Sequence, residues 1–259
     1  MNVISGSMER EHIISESIID EYFQKLKNSL DVDAIVVGGG PSGLYAAYRL
    51  AMDGFKINLL EKRCSLGGGI WGGGMMFNIV TFSEESKPIF DELGLNYRKR
   101  GESYVASSIE LAGALIYKVS KSGANILNCM YAEDIVLKDN KVRGVVVNWS
   151  PVGTQELMVD PLIMLSKIVI DATGHGAEIV SYLSRRKKKI VIRGEGAMDI
   201  EHGDVSTVND TKEIYPGLIV CGMTGIAVSG SPRMGPTFGG MLLSGKKAYQ
   251  LAKERIKQI

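Results

Sequence analysis

Ala34-Ile-Val-Val-Gly-Gly-Gly-Pro-Ser-Gly43, continued by Leu44-Tyr-Ala-Ala-Tyr-Arg-Leu-Ala-Met-Asp-Gly54, decides the fold. Four consecutive apolar residues read as a strand buried on both faces, as in a parallel sheet. The next ten or so residues carry helical periodicity and stop at a glycine. Between them, Gly38-x-Gly40-x-x-Gly43 has the spacing that permits a tight turn, close approach of backbone N–H groups to a pyrophosphate, and close packing of helix on strand. A second strand, Lys56-Ile-Asn-Leu-Leu, ends on Glu61, placed to accept hydrogen bonds from a ribose diol, and the βαβ unit is complete. A carboxylate there repels a ribose 2′-phosphate, so NAD or FAD is preferred over NADP, although Lys62 and Arg63 soften that argument.

Outward from this unit, residues 12–30 space Ile13, Ile14, Ile18, Ile19 and Phe23 as one face of an opening amphipathic helix, expected to pack on the core or on a neighbouring subunit. Residues 31–259 read as one catalytic domain. Glu84–Leu93 and Ser107–Ser122 look helical, and Ile126–Val136 with Lys141–Trp149 flank a turn as a hairpin. Lys167-Ile-Val-Ile-Asp-Ala is another buried strand, followed by Thr173-Gly-His-Gly176 and a helix near Glu178–Ser184. Gly217–Gly222 holds a further strand and Thr237–Lys257 a closing helix. The fold class is α/β: a Rossmann-like dinucleotide-binding fold of the flavoprotein, glutathione-reductase-like kind, with a central parallel sheet and an inserted β-hairpin or meander.

Thirty basic against twenty-nine acidic side chains leave a net charge of +1, so no long-range field draws the chain to nucleic acid or to an anionic membrane. The first 27 residues lack a basic n-region and an apolar h-region, and no apolar run is long enough to span a bilayer. Cys64, Cys129 and Cys221 lie far apart without zinc-ligand spacing, as in a reduced compartment. The expectation is a cytoplasmic enzyme.

In order along the chain, VVGGGPSGLYAA (36–47), Glu61-Lys62, GGGIWGGGMMFN (67–78), VDP (159–161), DATGH (171–175), YPGLIVCGM (215–223) and PRMGPTFGGMLLSG (232–245) resemble the thiamine thiazole synthase family, in particular its archaeal sulfide-using branch. The resemblance implies that NAD is consumed as a substrate. With glycine and free sulfide it yields an adenylated thiazole carboxylate, and nicotinamide is released. It further implies that Gly40, Ser42, Glu61, Lys62, Gly69, Ala132 and Met223 touch the nucleotide, that Arg233 holds the glycine carboxylate, that Asp160 and His175 bind Fe(II), and that the assembly is a homo-octamer.

Read for themselves, Asp160 and His175 offer a carboxylate and an imidazole suited to Fe(II), Zn(II) or Mn(II), His175 lying just past the end of a strand where open α/β sheets place ligands. The plainer reading is a helix cap and a hydrogen-bonded surface histidine. Arg233, in a rigid loop, suits a bidentate grip on a small carboxylate or, alternatively, pairing with a structural acid. Six glycines between Gly67 and Gly74, around Trp71, are expected to close over the reacting sugar, the alternative being a crowded packing site. His12 and His202, the latter placed in a polar loop, are given only solvated or capping roles. The chain departs from its relatives at Met158, where eukaryotic members carry a sulfur-donating cysteine and archaeal ones typically a histidine. A thioether has no thiol to surrender, which favours free sulfide as the sulfur source. Two other functions stay open: an FAD-dependent oxidoreductase of the same fold, and a nucleotide-binding homologue that has lost its chemistry at Met158.

Overall fold

The computed structural model of the chain describes residues 4–258. Helix α1 (Ile4–Asn28) leads into β1 (Asp31–Val37), and α2 (Pro41–Met52) returns to β2 (Ile57–Glu61). Then β3 (Ile79–Phe82), α3 (Lys87–Leu93), β4 (Tyr97–Arg100) and β5 (Ser103–Ser107) precede α4 (Ser108–Lys121) and β6 (Asn125–Asn128). Strands β7 (Met130–Lys138) and β8 (Lys141–Trp149), the short α5 (Ser150–Thr154) and β9 (Leu162–Asp171) follow. After them come α6 (Glu178–Arg186), α7 (Ile200–Asn209), β10 (Lys212–Tyr215), β11 (Leu218–Val220), α8 (Met223–Ser229) and α9 (Gly239–Lys257).

The main sheet runs β10-β11-β9-β1-β2-β6. All of these neighbours are parallel except β10, which closes the edge antiparallel to β11. Ala34 sits opposite Ile57 on one side and Ile168 on the other, so the Ala34–Val37 run is covered in the sheet plane as well as on both faces. On one face α2, α4 and α9 bury Leu44, Leu50, Leu111, Leu115 and Leu242. On the other, α6 and the β7-β8 pair bury Val145, Val147, Ile179 and Leu183. Each such side chain contributes roughly 1.5–3 kcal/mol on leaving water. Strand β8 also pairs antiparallel with the first residues of β9 (Val147 opposite Leu162), which makes β7-β8-β9 the expected meander. The Rossmann-like architecture read from the sequence is the one observed.

Several local expectations change. Ile126–Val136 is not one strand: Cys129 takes φ +56° and splits it into β6, parallel to β2, and β7, antiparallel to β8. A second antiparallel sheet, β3-β5-β4, lies in a segment where no strands were expected. His202 is on α7 rather than in a loop; Asp199 caps that helix, accepting from the His202 N–H at 3.2 Å and facing its Nδ1 at 2.8 Å. The helix at the start is longer than its apolar stripe suggests. Ile13, Ile14, Ile18, Ile19 and Phe23 are all at least half exposed, while Leu26 is buried, so this face does not pack on the chain's own core. No helix among the described residues is long and apolar enough to cross a membrane.

Candidate active site

Strands β1, β2 and β9 end on the same edge of the sheet, and a cavity of about 840 Å³ opens there. Its floor is the glycine turn. Gly38 has φ +109°, and a Cβ there would stand 2.3 Å from the Ala172 carbonyl oxygen. At Gly43 a Cβ would stand 2.0 Å from the Gly38 carbonyl oxygen, so α2 can lie this close to β1 only with glycine. Gly40 is different: nothing lies within 4 Å of where its Cβ would be, because that space is the cavity. Pro41 starts α2 in the first helical turn, where its missing N–H costs nothing. The free N–H groups of that turn face a site for negative charge.

Glu61, at the tip of β2, is 7 % exposed. Its Oε2 accepts from the Gly39 N–H at 2.9 Å and its Oε1 from the Arg63 N–H at 2.8 Å, which fixes the carboxylate beside the turn with lone pairs to spare. Lys62 Nζ donates to Glu178 Oε1 at 2.5 Å, and both residues line the cavity. Of the two cations that blur the choice between NAD and NADP in the sequence, Lys62 is therefore already paired, while Arg63 also lines the cavity. Gly38, Ser42, Gly69, Ala132, Met223 and Arg233 line the same cavity. The Ser42 hydroxyl donates to the Met241 carbonyl at 2.8 Å and keeps its lone pairs. Gly43 stands behind the lining, as a packing residue of the turn.

His175 enters from the far side, on the short turn after β9. Asp171, fully buried, holds that turn: Oδ1 accepts from the Thr173 N–H at 3.0 Å and from its hydroxyl at 2.6 Å, and Oδ2 from the Val180 N–H at 3.0 Å. Burial pushes the Asp171 carboxyl above the usual carboxylate range. Thr224 accepts from the Gly174 N–H at 2.9 Å on the other side. The His175 Nδ1 is hydrogen-bonded to Glu195 Oε1, whose second oxygen lies 3.9 Å from Arg233 Nε. Nothing in the sequence marks Glu195 or Glu178, since both meet their partners only through the fold.

The structure does not bring Asp160 to His175. Asp160 and Met158 are exposed in the connection before β9, outside the cavity, whereas His175 follows the other end of that strand. Ten residues of strand lie between them, about 30 Å along the strand at roughly 3.3 Å per residue. The convergence of these two side chains expected from the sequence is therefore not found within one chain. Among the described residues no group of three or more His, Cys, Asp or Glu side chains is placed to hold a metal ion. Met158 occupies no position in the cavity either, so its thioether removes nothing from this chain's own site. The glycine cluster is a crowded backbone as much as a loop: a Cβ at Gly73 would meet Ile79 N at 2.7 Å and one at Gly74 would meet Pro236 Cβ at 3.0 Å, while the Trp71 indole donates to the Leu66 carbonyl at 2.7 Å. Of the three cysteines only Cys221 lines the cavity, and burial pushes its thiol far up, so it stays protonated.

The Thi4 family model matches residues 15–238. A thiamine thiazole synthase of Pyrococcus horikoshii is 49 % identical over 251 residues, 96 % of this chain and all of that protein. One from Thermotoga maritima is 43 % identical over 248 residues, 96 % of this chain and 99 % of its own length. The crystal structure of THI4 from Thermovibrio ammonificans superposes with a TM-score of 0.92 at 44 % identity, covering 96 % of this chain and 98 % of that one. A match that covers 96 % of this chain and all of the Pyrococcus horikoshii protein, with a family model over residues 15–238, means that the chain belongs to the Thi4 family.

Proposed function

We propose that the chain is a thiamine thiazole synthase that consumes NAD, joins its ribose to glycine and to free sulfide, and releases nicotinamide and an adenylated thiazole carboxylate. The observation that carries this reading is the meeting, in one cavity, of a dinucleotide half-site (Gly40, Glu61) with an imidazole (His175) and a guanidinium (Arg233). At about 840 Å³ the cavity is in the size range of small-molecule and cofactor sites. The α2 N-terminus takes the pyrophosphate, and Glu61 takes the ribose diol. Arg233 offers a planar pair of donors to the glycine carboxylate. His175, with one ring nitrogen engaged by Glu195, is suited to the proton transfers that sugar opening, imine formation and ring closure demand. The Cys221 thiol is a poor sulfur donor in its buried, protonated state, which supports sulfide from solution.

Family resemblance adds Fe(II), and one chain alone does not fit it, since Asp160 stands outside the cavity. The half-exposed apolar face of α1 and the exposed Leu157, Met158 and Val159 beside Asp160 support a homo-oligomer, an octamer by resemblance. In such an assembly a neighbouring copy is the available source of a second carboxylate. The test is anaerobic incubation with NAD, glycine, Fe(II) and isotopically heavy sulfide, followed by mass spectrometry. The expected result is heavy sulfur in an adenylated thiazole with all three cysteines intact. Unconsumed NAD, or light product together with a dehydroalanine in the chain, overturns the proposal.

A further inference from the structure

We infer that Glu195 is a positioning residue of this site: a single carboxylate that fixes the tautomer of His175 with one oxygen and anchors the guanidinium of Arg233 with the other. This rests on the reading of the cavity given above. Glu195 lies on the segment between α6 and α7, and its side chain is only 17 % exposed. Its neighbours hold it in place before any ligand arrives. The Gly194 N–H donates to the Ala227 carbonyl at 3.0 Å and the Gly196 N–H to the Ser231 carbonyl at 2.9 Å, so the backbone is pinned on both sides of the carboxylate. Its two partners come from distant parts of the chain, His175 from the turn after β9 and Arg233 from the loop between α8 and α9.

The chemistry follows from what a carboxylate can do. Ionised, it only accepts hydrogen bonds, so the neutral imidazole facing it must carry its proton on Nδ1. Nε2 is then bare and is the ring nitrogen left for the cavity that His175 lines, as a proton acceptor or a ligand nitrogen. The second oxygen lies on the Nε side of Arg233, which leaves the two terminal nitrogens for a substrate carboxylate. Without Glu195 the ring is free to rotate and to exchange tautomers, and the guanidinium loses its anchor. Loss of such a supporting partner typically costs about 10–100-fold in affinity or activity.

The two roles separate in two variants. In Glu195→Gln the amide oxygen still accepts from Nδ1–H, whereas the anchor for Arg233 loses its charge; Glu195→Ala loses both. The first measurement is ¹⁵N NMR of the imidazole in the unliganded, full-length protein, with the pH raised until the ring signals stop moving. The wild type and E195Q are expected to show His175 protonated on Nδ1, and E195A to show a tautomer mixture. A ring protonated on Nε2 in the wild type, or the same tautomer in all three proteins, overturns the inference. The second is steady-state kinetics: KM for glycine rises roughly tenfold in E195Q and E195A, and kcat falls further in E195A than in E195Q. Equal kcat in the two variants overturns the division of roles. The NMR readout needs neither NAD nor sulfide, so failure of the thiazole-forming reading leaves it standing and failure of the Glu195 role leaves the reaction standing.

Discussion

Replacing Gly40 or Gly43 by alanine adds the same methyl group three residues apart, and the structure expects opposite consequences. At Gly43 the new Cβ would stand 2.0 Å from the Gly38 carbonyl oxygen and 3.1 Å from Ala172 Cβ, so α2 must move off β1 by more than an ångström. Overpacking of this kind costs about 1–3 kcal/mol, more when backbone is the obstacle. At roughly 2–4 °C per kcal/mol for a chain of this size, a cost at the upper end of about 3 kcal/mol, set by the backbone obstacle, means that Gly43→Ala should melt some 6–12 °C lower. At Gly40 the φ of −78° is open to any residue and no atom lies within 4 Å of the new methyl. The cost is that of alanine for glycine at a helix N-cap, about half a kcal/mol, or roughly 2 °C. In the proposed function that methyl stands where the pyrophosphate comes against the backbone. Losing two charge-assisted hydrogen bonds at about 1.5 kcal/mol each weakens binding by about 3 kcal/mol, roughly 100-fold. Thermal unfolding followed by circular dichroism gives the first quantity. Calorimetric titration with ADP, which carries the diphosphate but no nicotinamide riboside to be consumed, gives the second. A Gly40→Ala protein that binds ADP as tightly as the wild type refutes the assignment of the turn as the phosphate site, and a Gly43→Ala protein with an unchanged melting temperature refutes the packing argument.

Glu178→Gln removes the partner of Lys62 and frees its ammonium for a ribose 2′-phosphate; NADP should bind about tenfold more tightly, a gain of about 1.4 kcal/mol, with NAD little changed by the same titration. An unaltered NADP-to-NAD ratio would mean that Lys62 does not reach the ribose. Asp160→Ala and His175→Ala should each abolish thiazole formation alone, and subunits of the two, unfolded and reassembled together, should recover part of it, because some sites then combine an intact His175 with a neighbour's intact Asp160. No recovery in a mixed oligomer verified by mass would exclude a shared site. The hydrogen bond to Asp199 holds the His202 imidazole above its ordinary range, and the same contact holds the Asp199 carboxyl below its own. The contact therefore supports the α7 N-terminus fully between the ordinary carboxylate and ordinary histidine pKa values, and this support is lost as pH rises through the folded-state value of His202 or falls through that of Asp199. Proton NMR titration of Asp199→Asn should return His202 to the ordinary range; an unmoved titration would contradict the assigned cause.

The βαβ unit was readable because its signals are local. Ala34–Val37 are apolar because they are covered on every side, and Gly38, Gly40 and Gly43 are spaced by the turn they make. The second sheet was not readable for the converse reason: β4 is Tyr97-Arg-Lys-Arg, three of whose residues are exposed, so it shows neither the continuous run of a buried strand nor a clean alternation. Helix α7 hid in the same way, a polar segment whose N-cap, Asp199, becomes recognisable only once the helix is known. The sharpest contrast is between two carboxylates near the imidazole in different senses. Asp160 is fifteen residues from His175 in sequence, and the extended run of β9 between them carries it away from the cavity. Glu195 is twenty residues beyond His175 and meets its ring. Separation along a chain says little about approach when a strand intervenes, because a strand converts sequence distance into length. A turn and a helix, α6, fold back and convert it into proximity. Within one chain the acid that meets the His175 ring is thus Glu195, while the strand leaves Asp160 outside the cavity.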